Sequence, residues 1–399
     1  MAGGTGGYTP VAAAIVPHAD GKTMSAQLPD GGTNGMSSGA SSGASGGTSG
    51  GGGGGALAAP AAMTVFAAAD LSRYCSKFTH ILGAGSFGVV CRGTLPDGRG
   101  IAVKQVELLP AGKKKAGKKS SPYSGEAGFQ LELDVLSRYA HPNLVQLIGY
   151  CVEKKKMKKA TTCSLVLEFM PGGSLLDRLD PESDDPPLTA QERFDVAADV
   201  ARGLHYLHTA KPPLIHQDVK TDNILLAVVD GRLVAKVADF GTARIAPQLA
   251  MNASALAPGG GGGQTHHSTG VIVGTRPYMA AEYAQVGHVS EKTDTFAYGV
   301  VLLELLTGRP PHDEGTGEAL HTSAYELLCD PQRRLPDALD ARVPLASWAS
   351  AGGEAGELGG RALCLCLIAK RCLESHPRAR GTMREALPKV AALAAADRQ

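Results

Sequence analysis

Among the eight cysteines, no two have the C-x-x-C spacing of a zinc site or a thiol redox couple. Most of them (75, 91, 151, 163, 329, 364, 366 and 372) sit in apolar runs, as buried thiols do, which points to a reducing compartment. Cys364-Leu365-Cys366 reads as helical core with Leu363 and Leu367, not as a metal site. Long apolar runs are missing as well. The best candidate, 299–306, is too short to cross a bilayer and contains Glu304. The opening MAGGTGGYTP lacks a basic stretch followed by an apolar core, so no secretory leader is expected. Ala2 excludes the usual N-myristoylation signal. Neither charge sign is in excess: the formal net charge is +1, which predicts no global attraction to nucleic acid. Aromatic residues make up only 5% and do not interleave with the basic clusters, which argues against stacking on single strands.

Glycine is abundant, with 52 residues unevenly spread. Residues 1–72 hold much of it, including the run 50–55, with few large apolar side chains and no sustained period. Such a segment buries too little surface to offset the entropy of ordering. It is expected to be a disordered tail, with the fold starting near Arg73. Two lysine clusters, 113–119 and 154–159, interrupt the chain beyond that point. They read first as solvated loops, and second as a basic patch for anionic lipid or an acidic partner.

Chemistry concentrates in the stretch 214–225, LIHQDVKTDNIL. A charged turn between apolar strands cannot be core. It reads as a loop that presents Asp218, Lys220 and Asn223 to one small volume, and Asp239-Phe240-Gly241 lies downstream. Asp218, Asn223 and Asp239 are the residue types that position a hydroxyl and hold Mg²⁺ on a phosphate chain. Upstream, the glycines of 83–88 are followed by strand-like residues, and Lys104 ends an I-A-V-K run in the next strand. A dinucleotide fold would have a helix there; a hairpin instead covers a triphosphate with backbone N–H groups. Phe129, Leu133 and Leu136 define one helix face, with Glu132 beside it and within reach of Lys104. The strand 164–170 leads into Pro171-Gly172-Gly173-Ser174, a linker pattern where a flat base could meet backbone groups of Glu168 and Met170. Apolar spacing over 188–208 predicts a helix.

The ordered set Gly83/Gly85/Gly88, Lys104, Glu132, Asp218/Asn223, Asp239-Phe240-Gly241, Glu282 and Asp294 resembles the eukaryotic protein kinase family over about residues 78–390. Wording between the motifs, such as His141-Pro142-Asn143-Leu144-Val145 and TDTFAYGVVLLELLTGR at 293–309, is similar to the receptor-like, Pelle-type branch. With no ectodomain or span in view, the chain resembles a receptor-like cytoplasmic Ser/Thr kinase. The resemblance implies a two-lobed α+β fold. The small lobe, 73–169, would be antiparallel sheet with one helix. The large lobe, 174–392, would be mainly helical, with a short tail at 393–399. ATP would lie between them, against Leu82, Gly83, Ala84, Gly85, Ser86, Phe87, Gly88, Val90, Ala102, Lys104, Glu168, Met170 and Asn223.

By the same resemblance, Lys104 contacts the α- and β-phosphates and pairs with Glu132. Asp239 and Asn223 hold Mg²⁺, with Mn²⁺ as the alternative ion. Asp218 accepts the proton of a Ser or Thr hydroxyl on a protein substrate, and Lys220 steadies the γ-phosphate. Cytoplasmic signalling downstream of a receptor is implied, with peripheral attachment to an anionic membrane through the lysine clusters as an extension. The competing reading is a pseudokinase scaffold that binds nucleotide and partners without phosphotransfer. Three positions depart from the family pattern. Gln217 stands where most members have an Arg that pairs with a phosphate on the activation segment, so activity is expected not to depend on that pairing. Ala281 replaces a Pro, leaving Glu282 to pair with a late Arg, taken to be Arg380. Pro277 replaces a Gly near the substrate-docking loop. The long segment 239–282, with its 259–263 glycine run, is expected to be mobile; Thr265, Ser268, Thr269 and Thr275 are candidate phosphorylation sites, and Asp294 a brace for the 216–218 backbone.

Overall fold

The computed structural model describes residues 63–85, 88–108, 126–155, 160–245, 267–268, 272–348 and 360–396. Residues 1–62 of the tail expected over 1–72, most of both lysine clusters and the glycine run at 259–263 lie outside the described residues. So do Ser86, Phe87, Thr265 and Thr269.

The small lobe is a six-stranded sheet. Its strands are β1 (Thr64–Val65), β2 (Ile81–Gly85), β3 (Gly88–Thr94), β4 (Gly100–Leu108), β5 (Leu147–Lys155) and β6 (Ala160–Glu168). They are ordered β1-β5-β6-β4-β3-β2, and every pair is antiparallel except β1 with β5. Strand alternation sorts the side chains of β4. Ile101 and Val103 are fully buried on one face, and Lys104, 3% exposed, points to the other. The helix α2 (Glu126–Arg138) buries Phe129, Leu133 and Leu136 at the expected spacing against Leu165 and the core that continues into the large lobe.

The fold starts earlier than the sequence suggests. Residues 63–72 are not part of a tail: β1 extends the sheet, and α1 (Ala68–Tyr74) covers its outer face. Leu71 and Cys75, one turn apart, are each 1% exposed and pack with Leu95, Ile101, Val103, Cys151 and Val166. Composition averaged over an Ala/Gly-rich stretch hides this, because one leucine and one cysteine suffice when the partner surface is already apolar. Gly149 makes the extra strand possible, since a Cβ there would lie 2.0 Å from the Thr64 carbonyl oxygen. At the other end the last helix runs to Ala395 with Ala394 buried, past the boundary drawn at 392.

Gly172 and Gly173 connect the lobes. Their backbone exchanges hydrogen bonds with Leu226, and Ser174 with Asp177 forms a capping box on α3 (Leu175–Leu179). A second capping box, Thr189 with Glu192, starts α4 (Ala190–Thr209). Next come β7 (Leu214–Ile215), the hairpin β8 (Ile224–Val229) and β9 (Arg232–Val237), and β10 (Arg244–Ile245), which pairs with β7. The described part of 246–290 holds β11 (His267–Ser268), α5 (Ala281–Val286) and β12 (His288–Val289). Helix α6 (Glu291–Thr307) is apolar nearly all round and buried along almost its whole length, as a central core helix must be. The remaining helices are α7 (Leu320–Ser323), α8 (Tyr325–Cys329), α9 (Pro331–Ala338), α10 (Gly360–Cys372) and α11 (Met383–Ala395). In α10, Leu365 and Cys366 face the core as expected, whereas Cys364 and Leu367 face out, because the helix turns them about 100° per residue away from the buried face.

Truncating Leu71→Ala is expected to lower unfolding stability by about 2–5 kcal/mol. Val65→Ala, at a side chain 63% exposed, should change it by less than about 0.5 kcal/mol. Urea denaturation of both variants checks this; equal effects would place 63–75 outside the fold.

Candidate active site

Helix α6 sets the geometry of the 216–218 loop. Asp294, 1% exposed, accepts the His216 N–H on Oδ2 at 2.8 Å and the Gln217 N–H on Oδ1 at 2.9 Å. Between those anchors Gln217 takes φ 70°, a left-handed conformation that non-glycine residues rarely adopt. The side chain of Asp218 then faces the cleft. His216 is fully buried, and its Nδ1 accepts the Asp218 N–H at 3.3 Å. Its Nε2 therefore carries the proton and donates to the Ala238 carbonyl at 3.0 Å. The ring also meets Phe240 edge-on at 5.1 Å. One histidine thus ties the 216–218 loop to the turn that carries Asp239, itself at φ 62°.

The expected site residues converge. Lys104 Nζ lies 2.5 Å from Glu132 Oε1 and 3.1 Å from Asp239 Oδ1. Burial would lower the Lys104 pKa, but the Asp239 and Glu132 carboxylates outweigh it and hold the lysine above its ordinary value. Burial pushes Glu132 upward, against the pull of Lys104. Asn223 Nδ2 donates to the Asp218 backbone carbonyl at 2.8 Å and to Oδ2 at 3.1 Å. Lys220 Nζ stands 3.7 Å from that same Oδ2 and 3.0 Å from Asp222. Burial and then the nearby Asp239 raise the Asp218 pKa, opposed by Lys220. A carboxylate poised upward in this way is a better proton acceptor.

The donor set suits a hard divalent cation. Asn223 turns its amide nitrogen to Asp218, which leaves Oδ1 for a ligand. Asp239 engages Lys104 and the Gly241 N–H through Oδ1, which leaves Oδ2. No cluster of three or more His, Cys, Asp or Glu side chains forms a closed metal cage among the described residues. Few protein oxygens and an open side match Mg²⁺ completed by water and phosphate.

The phosphate-loop residues are only partly described. Gly85 pairs with Gly88 across the hairpin, and Gly88 takes φ 129° with a would-be Cβ 2.1 Å from the Gln105 carbonyl oxygen. Leu82 is exposed at the edge, Gly83 and Ala84 lie on β2, Val90 sits opposite Lys104, and Ala102 opposite Leu167. The Glu168 side chain is held by Lys236 at 2.8 Å and by the Gln146 N–H, and its own N–H donates to the Gln146 carbonyl at 3.1 Å, so neither is left for a ligand. Met170 is buried, and its carbonyl accepts from Gly173.

Thr275 emerges in a role the sequence did not suggest. It reads as a loop hydroxyl open to modification; instead its N–H and Oγ1 both donate to Asp218 Oδ1, at 3.1 and 3.0 Å. The segment around it was legible only by order, with no local pattern to mark the contact. Gly274, φ 110°, lets the segment close on the Gln217 carbonyl, from which a Cβ would be 2.8 Å. Tyr278 and Thr221 both hydrogen-bond the buried Glu304, whose carboxyl burial pushes up to about 8. Glu282 pairs with Arg380 through two contacts of 2.5 and 3.1 Å, the pairing expected from sequence.

The chain matches the model of the protein kinase domain over residues 76–390. It is 38% identical over 281 residues to proline-rich receptor-like protein kinase PERK8 of Arabidopsis thaliana, covering 66% of this chain and 36% of that protein. It is 42% identical over 238 residues to probable serine/threonine-protein kinase PBL21 of the same plant, covering 59% of this chain and 53% of that one. Similarity to receptor-like protein kinase THESEUS 1, also of Arabidopsis thaliana, is 41% over 235 residues, 58% of this chain and 23% of that protein. The matched part thus spans between about a quarter and a half of these relatives' lengths.

Glu304 gives a pH signature. Its folded pKa of about 8 lies above the ordinary 4.5, so the protonated, folded form is favoured fully below 4.5. That contribution is lost as pH rises through about 8. Glu304→Gln mimics the neutral carboxyl and should flatten the fall in stability across this range. Denaturation midpoints measured from pH 5 to about 8.5 check it; an unchanged slope would remove Glu304 as its source.

Proposed function

The chain belongs to the protein kinase family, and from that premise we propose that it transfers the γ-phosphoryl group of ATP to Ser or Thr hydroxyls of protein substrates. The observation that carries this reading is the assembled set Lys104–Glu132, Asp218–Asn223 and Asp239 around one cleft. The names of PBL21 and other relatives, as serine/threonine-protein kinases, support the same class.

In this proposal Lys104 holds the α- and β-phosphates and Glu132 fixes the lysine. Asp218 orients the incoming hydroxyl and accepts its proton as the new O–P bond forms and the bond to ADP breaks. Lys220 offsets charge on the γ-phosphate oxygens. Asn223 and Asp239 hold Mg²⁺, which when bound neutralises charge on the phosphate chain. Thr275, bonded to Asp218 Oδ1, keeps the base aimed while leaving Oδ2 toward Lys220 and Asn223. Positioned groups of fixed charge supply most of the rate enhancement in such a transfer.

No helix among the described residues is long and apolar enough to cross a membrane. A cytoplasmic setting, an upstream receptor and attraction to an anionic membrane through the lysine clusters are part of the proposal and rest on the sequence. The Gln217 side-chain nitrogen is buried without a hydrogen-bond partner among the described residues and carries no charge for a phosphate. We therefore place control of activity elsewhere than in an activation-segment phosphate paired at this position.

With radiolabelled ATP and a generic protein substrate, Asp218→Asn and Asp239→Asn should each lose about 100-fold or more in transfer. Nucleotide binding without transfer by the wild type would overturn the enzyme reading. Phosphatase treatment of the wild type should leave its rate within a few-fold. A loss of orders of magnitude, unaltered by Gln217→Arg, would overturn the regulatory reading alone.

A further inference from the structure

Between α1 and the outer face of β4, β5 and β6 lies a cavity of about 320 Å³, within the size range of small-molecule sites. It is on the opposite side of the sheet from Lys104. Strand register builds its floor. Ser164 stands between Gln105 and Cys151 in one row, and Thr162 is opposite Glu153 in the next. Leu71, Phe78 and Ala68 supply an apolar wall.

The polar groups are unequally satisfied. Gln105 Nε2 donates to Ser164 Oγ at 3.3 Å, which leaves the Gln105 carbonyl oxygen as an acceptor. Thr162 is 8% exposed, and its Oγ1 is buried away from the cavity space. Glu153 makes no ion pair among the described residues and lies close enough to Cys151 to add to the effect of burial on that thiol. No Lys or Arg is among the described residues that line the cavity. The site therefore offers a carboxylate and an amide carbonyl beside an apolar wall. An anion would meet Glu153 with no opposing charge among the described lining residues.

We propose that this cavity binds a small organic amine, with its apolar body against Leu71 and Phe78 and its ammonium group on Glu153 and the Gln105 side-chain carbonyl. The pairing with Glu153 is charge-assisted, and the Gln105 carbonyl accepts a second N–H. The occupant also bridges α1 to the strand that carries Lys104.

The test titrates the full chain with phenethylamine, its neutral analogue 2-phenylethanol and the anion 3-phenylpropionate, by calorimetry. Phenethylamine should bind at least about tenfold tighter than either analogue. Glu153→Gln should weaken it about tenfold. Glu153 is exposed, so its substitution leaves the fold intact, and the variant should keep the wild-type phosphotransfer rate. Absence of phenethylamine binding, equal or tighter binding of the anion, or binding untouched by Glu153→Gln would each overturn the proposal.

Discussion

One buried carboxylate holds the 216–218 loop in shape. Asp294 is almost fully enclosed by the large lobe, and it commits both oxygens to successive backbone N–H groups, with His208 Nε2 2.9 Å from one of them. Two backbone donors on one rigid acceptor fix a peptide plane more tightly than any flexible side-chain pair. That constraint holds Gln217 in the left-handed region, where a free chain would not keep it. Remove it and the Asp218 carboxylate has no fixed direction, whatever the rest of the site does. The stability of α6, buried along its length, is therefore converted into the aim of one side chain on another element.

The second constraint is electrostatic and joins three elements. Lys104 from β4, Glu132 from α2 and Asp239 from the turn after β9 form a buried cluster of one cation and two carboxylates. Such clusters are poor sources of net stability, since desolvation offsets most of the attraction. Their value is in position: the lysine meets both carboxylates only when sheet, helix and turn are in register. An incoming phosphate chain would share the same cation, so the cluster is also a preformed site for negative charge. Burial, and after it the charge of Asp239, pushes Glu132 and Asp218 upward, while the carboxylates of Asp239 and Glu132 hold Lys104 above its ordinary value.

Much of this was legible in the sequence, because the chemistry needs particular residue types in a fixed order. Lys104, Glu132, Asp218, Asn223 and Asp239 stood out as polar or charged residues in a fixed order among apolar runs, and the structure brings them together. The Glu282–Arg380 pair and the Asp294 brace were also legible by order. What escaped was contact made by ordinary residues. Thr275 looks like any loop threonine until Asp218 is seen beside it. Residues 63–72 look like tail because their buried anchor is one leucine in an alanine-rich stretch, and its partner surface is assembled largely from three strands that follow later in the sequence. His216 reads as part of a motif, yet its tautomer follows only from the two backbone groups it meets.

The three departures from the family pattern acquire a common meaning from the contacts around them. Gln217, Pro277 and Ala281 all border the loop that would receive substrate, and none supplies a charge to it. The loop is nevertheless held at many points. Thr275 bonds Asp218, and Gly274 closes on the Gln217 carbonyl. Tyr278 reaches Glu304 together with Thr221, Tyr283 bonds the Val273 backbone through its hydroxyl, and Glu282 locks to Arg380. Each of these contacts is internal to the chain and needs no added phosphate. A pairing between an arginine and a phosphate supplies order from outside, and can be switched; order built from tyrosine hydroxyls, a buried carboxyl and close glycine approach is present whenever the domain is folded. In the reading proposed above, glutamine at 217 is consistent with the rest of the loop, because these contacts hold its described residues without a phosphate paired at that position.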